Sequence, residues 1–244
     1  MDYIPRPPSN LDEELLDADS PAILSQLDDA HRVVRIREEL EMGFSALDHV
    51  GKAVSIFGSA RTPEDHPEYA QARDVAARLG EHGFSIITGG GPGAMEAANR
   101  GARDVDVPSI GLGIELPFEQ SLNPYVDLGL EFHYFFVRKV MFVRYASGFV
   151  VFPGGFGTMD ELFEAATLVQ TGKIRHFPIV LVGTRYWRGL TDWLRDTMAA
   201  DAKISSSDLG LLHLTDDPEE IIEIIEAAEH RRPRRDEPAT RDAR

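Results

Sequence analysis

The sequence predicts a Rossmann-like α/β fold: a doubly wound, mainly parallel sheet with helices on both faces, preceded by an N-terminal helical extension. Two observations carry this prediction. Short continuous apolar runs alternate with longer segments of helical spacing, and three of those runs end in glycine-rich or small-residue turns. A chain of 244 residues, 43% of them hydrophobic, can bury a sizeable core. Residues 1–50 read as the extension, 51–229 as the Rossmann-like domain and 230–244 as a charged tail.

The extension is strongly charged and opens with Pro7 and Pro8 close together. Ser20-Pro21 has the form of a helix start, and Ile23, Leu24, Leu27, Val33, Val34 and Ile36 suggest one or two amphipathic helices. The runs AVSIFG (53–58), FSIIT (84–88), PSIGLGI (108–114), GFVVF (148–152) and FPIVLVG (177–183) then follow. Unbroken apolarity is how a strand covered on both faces reads in a parallel sheet. HPEYAQARDVAARLGEHG (66–83) and AMEAANRGARD (94–104) have helical spacing between them. EFHYFF (131–136) reads as a further strand before the helix VRKVMFVRYAS (137–147). GLTDWLRDTMAA (189–200) and PEEIIEIIEAAEH (218–230) read as late amphipathic helices, the first turning Leu190, Trp193, Leu194 and Thr197 inward. HRRPRRDEPATRDAR (230–244) is charged, contains proline and lacks large apolar residues, so it is expected to be a disordered, solubilising tail.

Composition narrows the function classes. A formal net charge of -16 argues against broad contact with DNA, RNA or an anionic membrane, which needs clustered Lys and Arg. It does not argue against a single nucleotide, because one phosphate can be held by backbone N–H groups at a helix N-terminus. The absence of cysteine removes disulfides and thiolate chemistry. The acidic N-terminus does not read as a secretory signal and no apolar run is long enough to span a bilayer, so a cytoplasmic location is the expectation.

In doubly wound sheets ligands bind beyond the carboxyl ends of the strands, at the switch in strand order. Three strand ends here carry small residues: FGSAR (57–61), TGGGPGAME (88–96) and FPGGFGTMDE (152–161). Glycines let a ligand approach the backbone, and a helix start supplies free N–H groups and the positive end of a dipole. One such loop is weak evidence; a coordinated set reads as an anion cradle. The pattern is neither a dinucleotide fingerprint nor a Walker A sequence, so NAD and ATP are poor candidates. A smaller ligand carrying one phosphate fits better.

After the third loop a helix carries Asp160, Glu161 and Glu164. Glu161 and Glu164 share one helix face. Thr158-Met159-Asp160-Glu161 also spells a capping box, in which Glu161 ties back to the N-cap; spacing alone favours the cap over a pocket role. Asp160 reads as a surface acid complementing the dipole. Arg138, Lys139 and Arg144 lie on the helix before that strand, where context-free basic residues belong to a solvated face or an ion pair. The rings of the aromatic run Phe132 to Phe136 could stack on a base or belong to the core, and for most of them core is the preferred reading. His133 reads as structural, because no second ligand set completes a metal site.

PGGFGTMDE (153–161) resembles the P-G-G-x-G-T-x-x-E motif of the Lonely Guy (LOG) family, cytokinin-activating phosphoribohydrolases once described as lysine decarboxylases. VRKVMFVR (137–144) resembles the family's Arg-Lys segment at the matching distance, and GGGPGAMEAANRGA (89–102) its other glycine loop. The likeness runs from about Ala53 to Val182. Two positions depart from the pattern: Phe142 stands where many members have Met, and the first strand ends FGSAR rather than in a Cys-Gly-Ser form.

The resemblance implies hydrolysis of the N-glycosidic bond of a nucleoside 5′-monophosphate, a cytokinin riboside 5′-monophosphate or AMP, with no metal and no organic cofactor. It implies Arg138 and Glu161 as the catalytic pair, which overturns the preference for a cap. Gly155, Gly157 and Thr158 are implied to hold the phosphate, with Pro153 and Gly154 in the same loop. Gly90, Gly91, Gly93 and Met95 are implied to line the pocket, with Ser59, Arg61 and Lys139 beside it. Glu164 and Glu96 are implied as pocket acids. The resemblance further implies a homodimer or larger homo-oligomer. The rival reading is a non-catalytic carrier, because molybdenum-cofactor carrier proteins share this fold and its phosphate loops. The joint presence of Arg138 and Glu161 favours the enzyme.

Overall fold

The computed structural model describes residues 11–16, 29–115 and 121–231. Ser20-Pro21, Ile23, Leu24, Leu27 and most of the predicted tail lie outside the described residues, as do Pro7 and Pro8. The architecture is a single seven-stranded sheet in the order β4-β3-β2-β1-β5-β6-β7, with every neighbouring pair parallel. The strands are β1 (Ala53–Phe57), β2 (Ser85–Thr88), β3 (Ser109–Ile114), β4 (Leu128–Phe132), β5 (Phe149–Val151), β6 (Ile179–Leu181) and β7 (Leu212–Leu214). The predicted doubly wound fold is present, and the five apolar runs each hold a strand.

Alternation along the strands explains why those runs are apolar throughout. Phe57, Phe149 and Val151 face one core, with Val137, Met141, Phe142, Leu162 and Trp187. Val54, Ile56 and Val150 face the other, with Tyr69, Leu79, Ala97 and Ile225. Both faces are dry, so the strands are apolar almost throughout, and buried polar exceptions such as Ser55 and Thr88 are hydrogen-bonded. Helices α3 (Pro67–Glu81), α4 (Ala94–Asp104) and α8 (Pro218–Glu229) cover the second face; α5 (Phe135–Tyr145), α6 (Phe156–Gln170) and α7 (Thr184–Trp193) cover the first. Sequence signals set several helix starts. Asp217 caps α8 by accepting from Glu219 N–H at 3.0 Å, with Pro218 following; His66 and Pro67 do the same for α3.

Two expectations need correction, and one strand was not expected. The strand expected at 131–136 is β4, which ends at Phe132, and Phe135 already opens α5. In 189–200, Leu194 is buried, but Trp193 and Thr197 are exposed and Trp187 is the fully buried ring. The helix passes into a π-type segment at Leu194–Ala199, which rotates its face away from the 3.6-residue phase. The edge strand β7 is short, only partly apolar and carries His213, so its sequence lacks the signal of the other strands.

The extension contributes α1 (Leu11–Leu16) and α2 (Asp29–Leu47). Val33 and Val34 are exposed on α2, and its buried positions are Glu39, Gly43 and Leu47. Among the described residues no helix is long and apolar enough to cross a membrane.

Candidate active site

The chain proceeds outward from β1 to β4 and then returns to lay β5 beside the other edge of β1. That reversal is the switch point where such sheets bind ligands. The loops leaving β1, β2 and β5 meet there.

The loop after β5 leads into α6, whose N-cap is Gly155. No side chain of its own caps that helix, so its first turn offers backbone N–H groups and the positive dipole end to the outside. The loop is tied down from behind. Ser59 N–H donates to Pro153 O at 2.9 Å, and Tyr186 Oη donates to Gly154 O at 2.7 Å. Around Gly155 and Gly157 there is open space where a side chain would stand. The expected capping box is absent, because the helix begins two residues before Thr158 and leaves Glu161 in its second turn.

The loop after β2 is held by a buried polar network. Asn99 accepts from Thr88 Oγ1 at 2.6 Å and from Asn123 Nδ2 at 2.9 Å, and its own amide donates to Ser109 Oγ at 2.8 Å. Asn123 Nδ2 also lies 3.1 Å from the carbonyls of Gly90 and Gly91, while Gly90 N–H donates to Thr88 Oγ1 at 2.9 Å. Gly93 has φ 69°, and a Cβ there would collide with Ser59 O, which the next N–H, on Ala94, reaches at 3.0 Å. Only glycine lets the first two loops touch in this way. Thr88, Asn99 and Asn123 were not among the expected site residues; two polar residues in otherwise apolar segments, Thr88 in a strand and Asn99 in an alanine-rich helix, were the available signal.

Helices α5 and α6 bring the charged groups. Glu161 is 3% exposed, and its Oε2 has no hydrogen-bond partner among the described residues. Burial pushes its carboxyl up to about 7, although Lys139 and Arg138 pull the other way. Arg138 is held between the rings of Phe135 and Phe142, at 5.2 and 5.4 Å from their centroids. Its Nε is also without a partner, and burial moves it below the ordinary arginine value against the pull of Glu161, Asp160 and Asp12. Lys139 sits among three carboxylates: Asp160 at 2.9 Å, Glu161 at 3.9 Å and Glu164 in direct contact. Burial disfavours its ammonium, but the bonds to Glu164 and Asp160 outweigh that and raise it.

These elements enclose a cleft of about 650 Å³. Of the expected residues, the cleft wall contains Arg138 and Glu161; Gly155, Gly157 and Thr158; and Gly90, Gly91, Met95, Ser59 and Arg61. The others stand behind it. Gly93, Pro153 and Gly154 shape the loops, and Lys139 and Glu164 pair with each other beside Glu161. Glu96 accepts from Tyr69 Oη at 2.8 Å and does not line the cleft. The lining that the expectation missed includes Leu122, Glu131 and Phe156. Among the described residues no group of three or more His, Asp or Glu is placed to hold a metal ion.

Fold and site together define a Rossmann-like protein in which two glycine loops, a buried carboxylate and a buried guanidinium line one cleft. The chain belongs to the family described as "Possible lysine decarboxylase", whose profile matches residues 95–225; this is the Lonely Guy (LOG) family. It is 33% identical over 172 residues to the pyrimidine/purine nucleotide 5′-monophosphate nucleosidase of Escherichia coli K12, covering 64% of this chain and 37% of that protein. The chain thus spans little more than a third of that relative's length. It is 30% identical over 135 residues to the cytokinin riboside 5′-monophosphate phosphoribohydrolase of Mycobacterium tuberculosis H37Rv, covering 52% of this chain and 72% of that protein. Among solved structures, the molybdenum cofactor carrier protein of Chlamydomonas reinhardtii superposes with a TM-score of 0.54 at 21% identity, over 74% of this chain and 99% of its own. That likeness establishes the fold alone.

Proposed function

We propose that this protein hydrolyses the N-glycosidic bond of a nucleoside 5′-monophosphate, releasing the free base and ribose 5-phosphate. The observation that carries the reading is the joint presence of Glu161 and Arg138, each with a polar atom unpartnered among the described residues, in the cleft that the two glycine loops line. A buried polar atom left unpaired costs free energy, and a ligand that pairs it recovers that cost. The names of the relatives, a nucleotide 5′-monophosphate nucleosidase and a phosphoribohydrolase, support the same chemistry.

In this reading the phosphate rests on the first turn of α6, against Gly155, Gly157 and Thr158, with the Gly90–Gly91 backbone on the other side. The bond from C1′ to the base nitrogen breaks, its electron pair leaving with the base. Water oxygen bonds to C1′, and one proton from that water balances the base. Positive charge develops on the ribose in between, so an ionised Glu161 fixed beside it stabilises the transition state more than the ground state. Arg138 keeps its proton too tightly to act as an acid and works by charge, on the departing base or the phosphate. Lys139 holds Glu161 towards its ionised form.

We also infer a homo-oligomer in which a second copy covers the rim of the cleft. Phe156 is 95% exposed on the cleft wall that it shares with the exposed Phe135, and Phe136 and Val140 are also exposed on α5. Exposed large apolar side chains at a cleft rim mark an interaction surface, and light scattering on purified protein reads the mass directly. A cytoplasmic location suits the proposed substrates.

The test is incubation with a panel of nucleoside 5′-monophosphates, including AMP and isopentenyl-AMP, following free base by chromatography. Release from at least one of them supports the reading. Binding of nucleotides with no release from any of them contradicts it and favours a carrier.

A further inference from the structure

Helix α5 carries Arg138 in its first turn, where a guanidinium meets the positive end of the helix dipole. Its N-cap, Tyr134, supplies no side-chain cap. The carboxylates that cap it come from the N-terminal extension. Glu39 on α2 accepts from His133 N–H at 3.1 Å and from Tyr134 N–H at 3.4 Å, and pairs with His133 Nδ1 at 2.6 Å. Asp12 on α1 accepts from Phe135 N–H, the first residue of the helix, at 3.1 Å.

The rest of α2 follows α5 along its length. Gly43 leaves room only for the Met141 side chain, Tyr145 Oη donates to Phe44 O at 3.2 Å, and Arg144 lies 4.8 Å from the Phe44 ring centroid. Glu39 is 9% exposed, a buried carboxylate spent on another helix's N-terminus. Asp12 is close enough to Arg138 for each to feel the other's charge: it supports the arginine's protonated form against burial, and the arginine in turn opposes the upward push that burial gives Asp12.

From this arrangement we propose that the extension is a working part of the site. Asp12 is a positioning residue for Arg138, and Glu39 is the anchor that seats the start of α5 for both. The inference rests on the reading of Arg138 given above. Asp12 does not itself line the cleft and meets it only through the start of α5, so it acts through that helix and its arginine rather than on the substrate.

The test compares wild type with Asp12→Asn, Asp12→Glu and Glu39→Gln in the full chain. Asp12→Asn keeps an acceptor for Phe135 N–H and removes only the charge. It is expected to lower kcat about tenfold while KM for AMP stays within about twofold, the pattern of an interaction that matters in the transition state. Asp12→Glu restores most of the rate, and Glu39→Gln lowers both kcat and the melting temperature. The Nε–H resonance of Arg138 in a nitrogen-15 NMR spectrum reports on the same contact without turnover. It shifts in Asp12→Asn and stays put in the remote control Asp74→Asn. Wild-type kcat in Asp12→Asn, or an unmoved Arg138 resonance, overturns the proposal. If wild type releases no base at all, the hydrolase reading fails, and the resonance alone still decides whether Asp12 sets the state of Arg138.

Discussion

Glu161 on α6 and Arg138 on α5 line one cleft, and Glu161 Oε2 and Arg138 Nε both lack a hydrogen-bond partner among the described residues. Each is an ionisable group drawn out of water, with one buried atom left unpaired. Such an arrangement destabilises the empty protein, and under the proposed function the bound nucleotide relieves it.

The first consequence is a pH dependence with opposite signs for activity and stability. The folded-state value of Glu161 is raised from the ordinary 4.5 to about 7. The native protein therefore favours the protonated form. The stability this confers is fully present below the unfolded value and is lost as pH rises through the folded one. Between those limits the loss amounts to about 3 kcal/mol. The proposed chemistry needs the ionised form, so kcat/KM rises over the upper part of the same window. Denaturant melts and rates measured from pH 4.5 to 8 check both slopes.

Glu161→Gln should separate the two. The amide is isosteric and uncharged, so the variant is expected to lose roughly a thousandfold in kcat. It should also be more stable than wild type at pH 8, by about 2–3 kcal/mol, because no carboxylate need be buried ionised. Calorimetric binding of AMP should survive.

Lys139 acts on Glu161 through charge. Lys139→Met removes a cation 3.9 Å from Glu161 Oε2 and leaves Asp160 and Glu164 to repel that carboxylate. The acidic limb of the pH–rate profile is expected to move to higher pH, with kcat at high pH less affected than at pH 6. A profile that keeps its limb in place would remove Lys139 from the account.

Two classes of glycine should part company. Gly155 and Gly157 have open space where a Cβ would go, and Gly157 lies inside α6, where alanine is the better helix former. Gly157→Ala is expected to hold or raise the melting temperature and to weaken nucleotide binding at least about tenfold, by filling the room that the proposed function gives to the phosphate. Gly93→Ala meets Ser59 O with a positive φ and should cost about 2–4 kcal/mol of stability before any ligand is added.

Asn99→Ala removes the acceptor of Thr88 Oγ1 and the amide donor to Ser109 Oγ in a dry interior, and leaves Asn123 Nδ2 only the Gly90 and Gly91 carbonyls. The expected cost is about 2–4 kcal/mol, with a further loss of nucleotide affinity because the Gly90–Gly91 backbone loses its support. Hydrogen exchange at Gly90 N–H, which Thr88 holds, is the direct readout.

The strands were legible because both faces of the sheet are covered and the apolar runs are unbroken, as Val54 and Ile56 on one side and Phe57 on the other show. The short edge strand β7 carries His213 and has no such signature. The glycine loops declared themselves by composition, whereas the polar residues behind them did not. The pairing of Asn99 with Asn123 joins positions 24 apart in sequence, and nothing in periodicity links them. Glu161 shows the limit of local pattern. Thr158 to Glu161 spells a cap, but the helix starts earlier, and burial decides what the carboxylate faces. The role of the extension was illegible for a similar reason: Glu39 and Asp12 act on a helix about a hundred residues away.

The most direct test of the central claim is the identity of the bond broken. Purified protein would be incubated with AMP or isopentenyl-AMP, and every product quantified. Free base and ribose 5-phosphate in equal amounts from wild type, and neither from Glu161→Gln, are the predicted result. Nucleoside with inorganic phosphate, or bound nucleotide recovered intact under all conditions, would contradict it.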